Sequence, residues 1–164
     1  MKFATILQAL EDIKKGRMLI ILDNPKRENE ADFYIPADKI TPQILTIMIR
    51  KGGGLICCAI TQKQARRLSL PLIVDRLDNR EKTGVNFTVS INAKKGVTTG
   101  VSAFDRARTI KILSNPYSAS DDLVIPGHVL GLVANAGGVL KRAGHTEAAV
   151  DLARLANLNP AGVL

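Results

Sequence analysis

Two short apolar runs, Met18-Leu19-Ile20-Ile21-Leu22 and Phe33-Tyr34-Ile35, stand on either side of Lys26-Arg27-Glu28-Asn29-Glu30-Ala31-Asp32. Runs of that length read as buried strands. The acidic stretch is therefore a connection held at both ends, and Asp23-Asn24-Pro25 is the turn chemistry that leads into it. If the stretch is extended, Glu28, Glu30 and Asp32 point to one side, with Cα atoms roughly 6.6 Å apart. Three carboxylates on one face repel each other and raise at least one pKa, unless a cation sits among them. One reading is a solvated polar edge strand. The other is a seat for a hard divalent cation and acid–base chemistry.

The rest of the chain alternates between helical and strand-like patterns. Phe3, Ile6, Leu7, Leu10 and Ile13 have helical spacing, with Gly16 as a stop. Thr41-Pro42 opens a helix as N-cap and first helical residue, and Gly52-Gly53-Gly54 closes it. Leu55 to Ile60 reads as a strand buried on both faces, and Thr61 caps a short helix through Leu68. No Gly-Lys-Ser/Thr follows the glycines, so they do not form a P-loop. Asp75 to Gly84 is the most polar connection and is expected to be mobile. Asn86 to Ile91 alternates as a strand. Ser102-x-x-Asp105 opens a helix to about Leu113 with a capping-box pattern, in which Asp105 reads as a cap. A strand follows Pro126-Gly127-His128, and the last helix begins near Arg142-Ala143-Gly144-His145-Thr146-Glu147. This order predicts one α/β (α+β) domain over residues 1–164, a sheet with helices packed on it.

Composition narrows the function. At 164 residues and 46% hydrophobic the chain buries a real core, and without tryptophan that core is aliphatic. The net charge of +8 favours phosphate-bearing partners, but the basic residues are scattered and no aromatic surface accompanies them, which argues against nucleic acid. Cys57 and Cys58 are adjacent and form no C-x-x-C pair, so a reducing compartment is expected. Charges at Lys2, Glu11 and Asp12 interrupt any secretory leader, and no apolar run approaches the ~18 residues of a membrane span. A soluble, cytoplasmic protein without a membrane partner is the expectation.

A second constellation lies at the last helix. Gly144-His145-Thr146, with Arg142 just before, joins free backbone N–H groups and the helix dipole to a guanidinium fork, which suits a phosphate. Thr146 as a plain N-cap beside a surface histidine is the alternative. The only two histidines, His128 and His145, each follow a glycine at the edge of an element.

Taken together these segments resemble the 3,4-dihydroxy-2-butanone 4-phosphate synthases of riboflavin biosynthesis. The resemblance rests on Asp23 with Arg27 to Asp32, Gly54 to Cys57, Gly96 to Gly100, Asp105 to Ile110, Pro126 to Val129, and Arg142 to Ala148, in family order over nearly the whole chain. It implies a three-layer arrangement around a mixed twisted sheet, and conversion of ribulose 5-phosphate to the four-carbon ketone phosphate plus formate. Magnesium or manganese would be held by Glu28 and His145. Arg27, Glu28, Asp32 and Arg142-Ala143-Gly144-His145-Thr146 would bind the substrate and its phosphate. His128 matches a histidine needed for activity, and Glu30, Asp32, Cys57 and Asp23 are candidates for acid–base and supporting roles. A homodimer with sites near the subunit boundary is also implied. Three departures stand out: Ala31 replaces a usual glycine, Ile125 replaces a usual arginine, and the chain stops at Leu164 before a family glutamate. That last point makes a non-catalytic relative, binding sugar phosphate or serving in assembly, the alternative.

Overall fold

The computed structural model describes residues 3–164. Six strands form one mixed sheet in the order β1-β2-β6-β3-β5-β4. They are β1 (Leu19–Leu22), β2 (Ala31–Pro36), β3 (Cys57–Ile60), β4 (Phe87–Ala93), β5 (Leu123–Val133) and β6 (Gly162–Val163). Only β3 and β5 are parallel; every other pairing is antiparallel.

Strand alternation divides the core into two layers. Ile35, Cys58, Ile60, Val129 and Val163 face one way, against α2 (Pro42–Ile47), α3 (Gln62–Arg67) and α4 (Ala103–Ser114) through Leu45, Leu68, Ile110 and Leu113. Tyr34 and Ala59 face the other way, against α1 (Ile6–Lys14) and α5 (His145–Leu155) through Ile13, Ala149 and Val150. The three-layer expectation holds. Ile110 and Leu113 are fully buried, each contributing about 1.5–3 kcal/mol against exposure.

The helix signals act as expected. Thr41 caps α2, and Thr61 closes a full capping box with Gln64 on α3. The chain leaves α2 through one π-turn, Met48–Gly52, and Gly53 ends it at φ +75, where a Cβ would be strained. On α1 only Leu10 and Ile13 turn inward; Phe3, Ile6 and Leu7 are exposed.

Two features escape the sequence pattern. β5 begins at Leu123 and runs through Pro126, because its pairing with β4 shifts register at Ile91/Asn92 and so accommodates a residue without an N–H. β6 is two residues long, too short for any periodicity, yet it joins β2 to β3 at the centre of the sheet.

Candidate active site

The acidic stretch does not stay extended. Asn29 takes φ +56, and β2 begins only at Ala31, so Glu28, Glu30 and Asp32 do not line one strand face. The cause is Asp23. Its buried carboxylate accepts N–H bonds from Glu28 and Glu30 and a guanidinium bond from Arg27, each at 3.0 Å, and this folds the loop around it. Burial pushes the Asp23 pKa up, but the Glu30 and Glu28 amides and Arg27 outweigh that, and the net displacement is downward. Ala31 in place of glycine needs no positive φ, so this departure is sterically neutral.

Four of the expected residues, Arg27, Glu28, Asp32 and His145, meet at that loop. Arg27 pairs with Asp23 and with Glu28. Asp32, at the start of β2, places Oδ2 3.4 Å from Nδ1 of His145, the first residue of α5. Burial raises the Asp32 pKa, the charges of Glu28 and Asp23 add to the rise, and His145 opposes it. One carboxylate of the cluster is thus raised, through burial first and its acidic neighbours second, not through three acids aligned on one strand face. Nε2 of His145 is buried and has no hydrogen-bond partner. An imidazole with a carboxylate 3.4 Å from Nδ1 and a bare, buried Nε2 is suited to hold a metal ion.

Glycine, not threonine, begins the last helix. Gly144 is the N-cap of α5, no side chain caps it, and Thr146 is buried in the first turn. The first-turn N–H groups, lacking intrahelical partners, are left for an anion. Two guanidinium groups converge above them. A Cβ on Gly144 would lie 2.3 Å from Nη1 of Arg142 and 3.0 Å from Nη2 of Arg27. Arg142 is held by Glu147 at 2.6 Å, and Glu147 also accepts the N–H of Asn135 at 2.9 Å. Glu147, 2% exposed, is a site-shaping residue that its place in an amphipathic helix did not single out.

Cys57 lies on β3 on the same face as Asp32. Burial, with a smaller contribution from Asp32, pushes its thiol up to about 12, so it is protonated at neutral pH. Glu30 is exposed, and its side chain makes no hydrogen bond or ion pair among the described residues. His128 is not part of this cluster. It sits on β5, three strands from β2 in the sheet order, roughly 14 Å away by interstrand spacing. Its N–H donates to Oδ1 of Asn92 at 2.9 Å, and its ring meets the Asn92 amide at 3.2 Å.

The Asp105 carboxylate, 1% exposed, accepts from the N–H and hydroxyl of Thr98 and from the N–H of Gly100, while its own N–H bonds the Ser102 hydroxyl. It therefore fastens the 96–100 loop and is only half of a capping box. A cavity of about 230 Å³ opens where β6 stops, between Asp32 and Phe33 of β2 and Leu55 and Ile56 before β3. No cluster of three or more metal-ligating side chains forms among the described residues, so a cation here would draw further ligands from substrate or water.

Residues 7–164 match the sequence profile of the 3,4-dihydroxy-2-butanone 4-phosphate synthase family. The chain belongs to that family. It is 50% identical over 165 residues to the riboflavin biosynthesis protein RibBA of Aquifex aeolicus, covering 99% of this chain and 40% of that protein. It is 49% identical over 162 residues to the probable bifunctional, chloroplastic riboflavin biosynthesis protein RIBA 1 of Oryza sativa subsp. japonica, covering 99% and 30%. A crystal structure of 3,4-dihydroxy-2-butanone 4-phosphate synthase in complex with two magnesium ions superposes with a TM-score of 0.95 at 41% identity, covering 98% of this chain and 74% of that one. The chain thus spans less than half the length of these two curated relatives. No helix among the described residues is long and apolar enough to cross a membrane.

Proposed function

We propose that this chain converts ribulose 5-phosphate to 3,4-dihydroxy-2-butanone 4-phosphate and formate, the divalent-metal-dependent step of riboflavin biosynthesis. The observation that carries this reading is the convergence of Arg27 and Arg142 above the uncapped start of α5, beside a buried histidine nitrogen without a partner. Two cations over one helix N-terminus suit a phosphate monoester.

The phosphate would rest on Arg27, Arg142 and the Ala143-Gly144-His145-Thr146 backbone, extending the sugar toward Asp32. Glu28 and His145 would hold the magnesium or manganese ion. When bound, the ion supplies Lewis-acid stabilisation of oxygen anions during enolisation. Asp32, with its raised pKa and its contact to His145, is the group best placed to take and return protons through enolisation, loss of the C1 hydroxyl, skeletal shift and hydrolytic release of formate. Cys57, a neutral thiol, would donate a hydrogen bond rather than act as a nucleophile. Glu30, on the exposed rim, is left a supporting role.

A homodimer with sites near the subunit boundary accommodates His128, which is too far from Asp32 to serve the site of its own chain but is exposed and oriented by Asn92. The buried, unpaired Cys57 and Cys58 fit a reducing compartment such as the cytoplasm.

The test is formate release from ribulose 5-phosphate by the purified chain, with and without magnesium. Metal-dependent formate that falls at least ~100-fold in Glu28→Ala and His145→Ala is the expected outcome. Thermal stabilisation by the sugar phosphate without formate would instead support the non-catalytic relative.

A further inference from the structure

The polar segment before β4 is a hydrogen-bonded clasp on Arg142. Nδ2 of Asn79 donates to the Val85 carbonyl at 2.8 Å, and Oδ1 of Asn79 accepts the Glu81 N–H at 2.9 Å. Glu81 then accepts three times, from the Thr83 N–H, the Thr83 hydroxyl and the Val85 N–H, at 2.8, 2.6 and 3.1 Å. Thr83 in turn receives Nε of Arg142 on its carbonyl at 2.9 Å and Nη2 on its hydroxyl at 3.2 Å. These contacts span 59 residues of sequence, so the segment expected to be a mobile loop is tied to the start of α5.

The polarity of the Thr83 hydroxyl is fixed by this chain of bonds. A hydroxyl carries one proton. Directed to the Glu81 carboxylate, that proton leaves only oxygen lone pairs for Arg142. The guanidinium then spends its Nε edge on Thr83 and one Nη1 proton on Glu147, which leaves two of its five N–H groups, one on each terminal nitrogen. Thr83 and Glu147 hold Arg142 close to Arg27 above Gly144, against the mutual repulsion of two cations.

We propose that Thr83, oriented by Glu81, is a positioning residue that preorganises Arg142 for the substrate phosphate; this rests on the sugar-phosphate reading of the site. A guanidinium ordered in advance loses less freedom on binding, so the clasp acts on affinity rather than on the chemical step.

Steady-state kinetics of formate release in Thr83→Val, Thr83→Ser and Glu81→Gln, with inorganic phosphate as competitor, test this. In Thr83→Val, KM for ribulose 5-phosphate rises about tenfold, as expected for loss of one charge-assisted hydrogen bond. The phosphate inhibition constant rises in parallel, and kcat stays within about threefold. Thr83→Ser restores both constants, and Glu81→Gln shifts KM in the same direction by less. An unchanged KM, or a fall in kcat alone, overturns the inference. If Thr83→Val fails to fold, the Glu81→Gln comparison decides in the same way. If wild type releases no formate, the catalytic reading fails separately. Thermal stabilisation by inorganic phosphate then decides: an effect on wild type that is lost in Thr83→Val sustains the clasp, and an equal effect or none overturns it.

Discussion

Asp32 and Asp105 are two aspartates set beside glycine- or asparagine-shaped loops, and their surroundings send them opposite ways. Asp105 is enclosed by donors: the Thr98 hydroxyl lowers its pKa most, burial raises it, and the Thr98 and Gly100 amides and Ser102 lower it further, for a net fall. Asp32 has no backbone N–H on its carboxylate among the described hydrogen bonds, and partial burial raises its pKa, with Glu28 and Asp23 adding to the rise and His145 opposing it. A carboxylate supplied with donors is fixed in its charged form and serves as a brace. One that is only half-buried, beside like charges and without such donors, is left free to exchange a proton. Asp23 belongs with Asp105 in this respect, although it stands within the cluster of Asp32.

Substitution separates the two roles most sharply. Asp32→Asn is expected to lower formate release at least ~100-fold while leaving the melting temperature unchanged or higher, because it removes a repelled charge. Asp105→Asn should do the reverse, lowering the melting temperature by roughly 5 °C with a far smaller effect on turnover. Paired calorimetry and kinetics read both. Equal losses of activity and stability in the two variants would erase the distinction.

Acid titration is the next test, and the signs oppose each other. Asp105 and Asp23, depressed in the folded state, add stability above the ordinary aspartate value of 3.8. That contribution is lost as pH falls below 3.8 through their folded values. Asp32 is raised, so it costs stability as pH climbs above 3.8 and the carboxyl is forced to ionise. Melting temperatures between pH 2.5 and 7 should therefore show a shallower acid limb in Asp105→Asn and a smaller loss on the high side in Asp32→Asn.

The smallest effects concern the loops that hold each aspartate. Gly100 has φ +92, and a Cβ there would lie 2.0 Å from the Asn92 amide, so Gly100→Ala should destabilise by about 1–3 kcal/mol. Ala31 lies in β2 without a positive φ, so Ala31→Gly should cost only about 0.5–1 kcal/mol, through backbone entropy. Denaturant midpoints measure both. A larger loss at position 31 would mean that the acidic loop is strained and that Ala31 stabilises it.

Most of the fold was readable in the sequence because local chemistry specifies it. Thr41, Thr61 and Ser102 cap the helices they precede, Gly53 ends α2, and the apolar runs at Leu19–Leu22 and Cys57–Ile60 are strands. The candidate site was expected from motifs: Arg27, Glu28, Asp32, Arg142 and His145 are residue types suited to phosphate and cations, and the fold brings them near one another. Their geometry was not readable. The alternation of acids at 28, 30 and 32 was misleading because Asp23 draws two backbone amides toward itself and bends the loop, an effect that acts over up to seven residues and leaves no periodicity. Tertiary structure alone separates His128 from Asp32, ties Thr83 to Arg142 across 59 residues, and seats a two-residue β6 at the sheet centre. Caps, turns and apolar period are local and act through the chain itself. Which buried charge finds its donors depends on neighbours that only folding brings within hydrogen-bond reach.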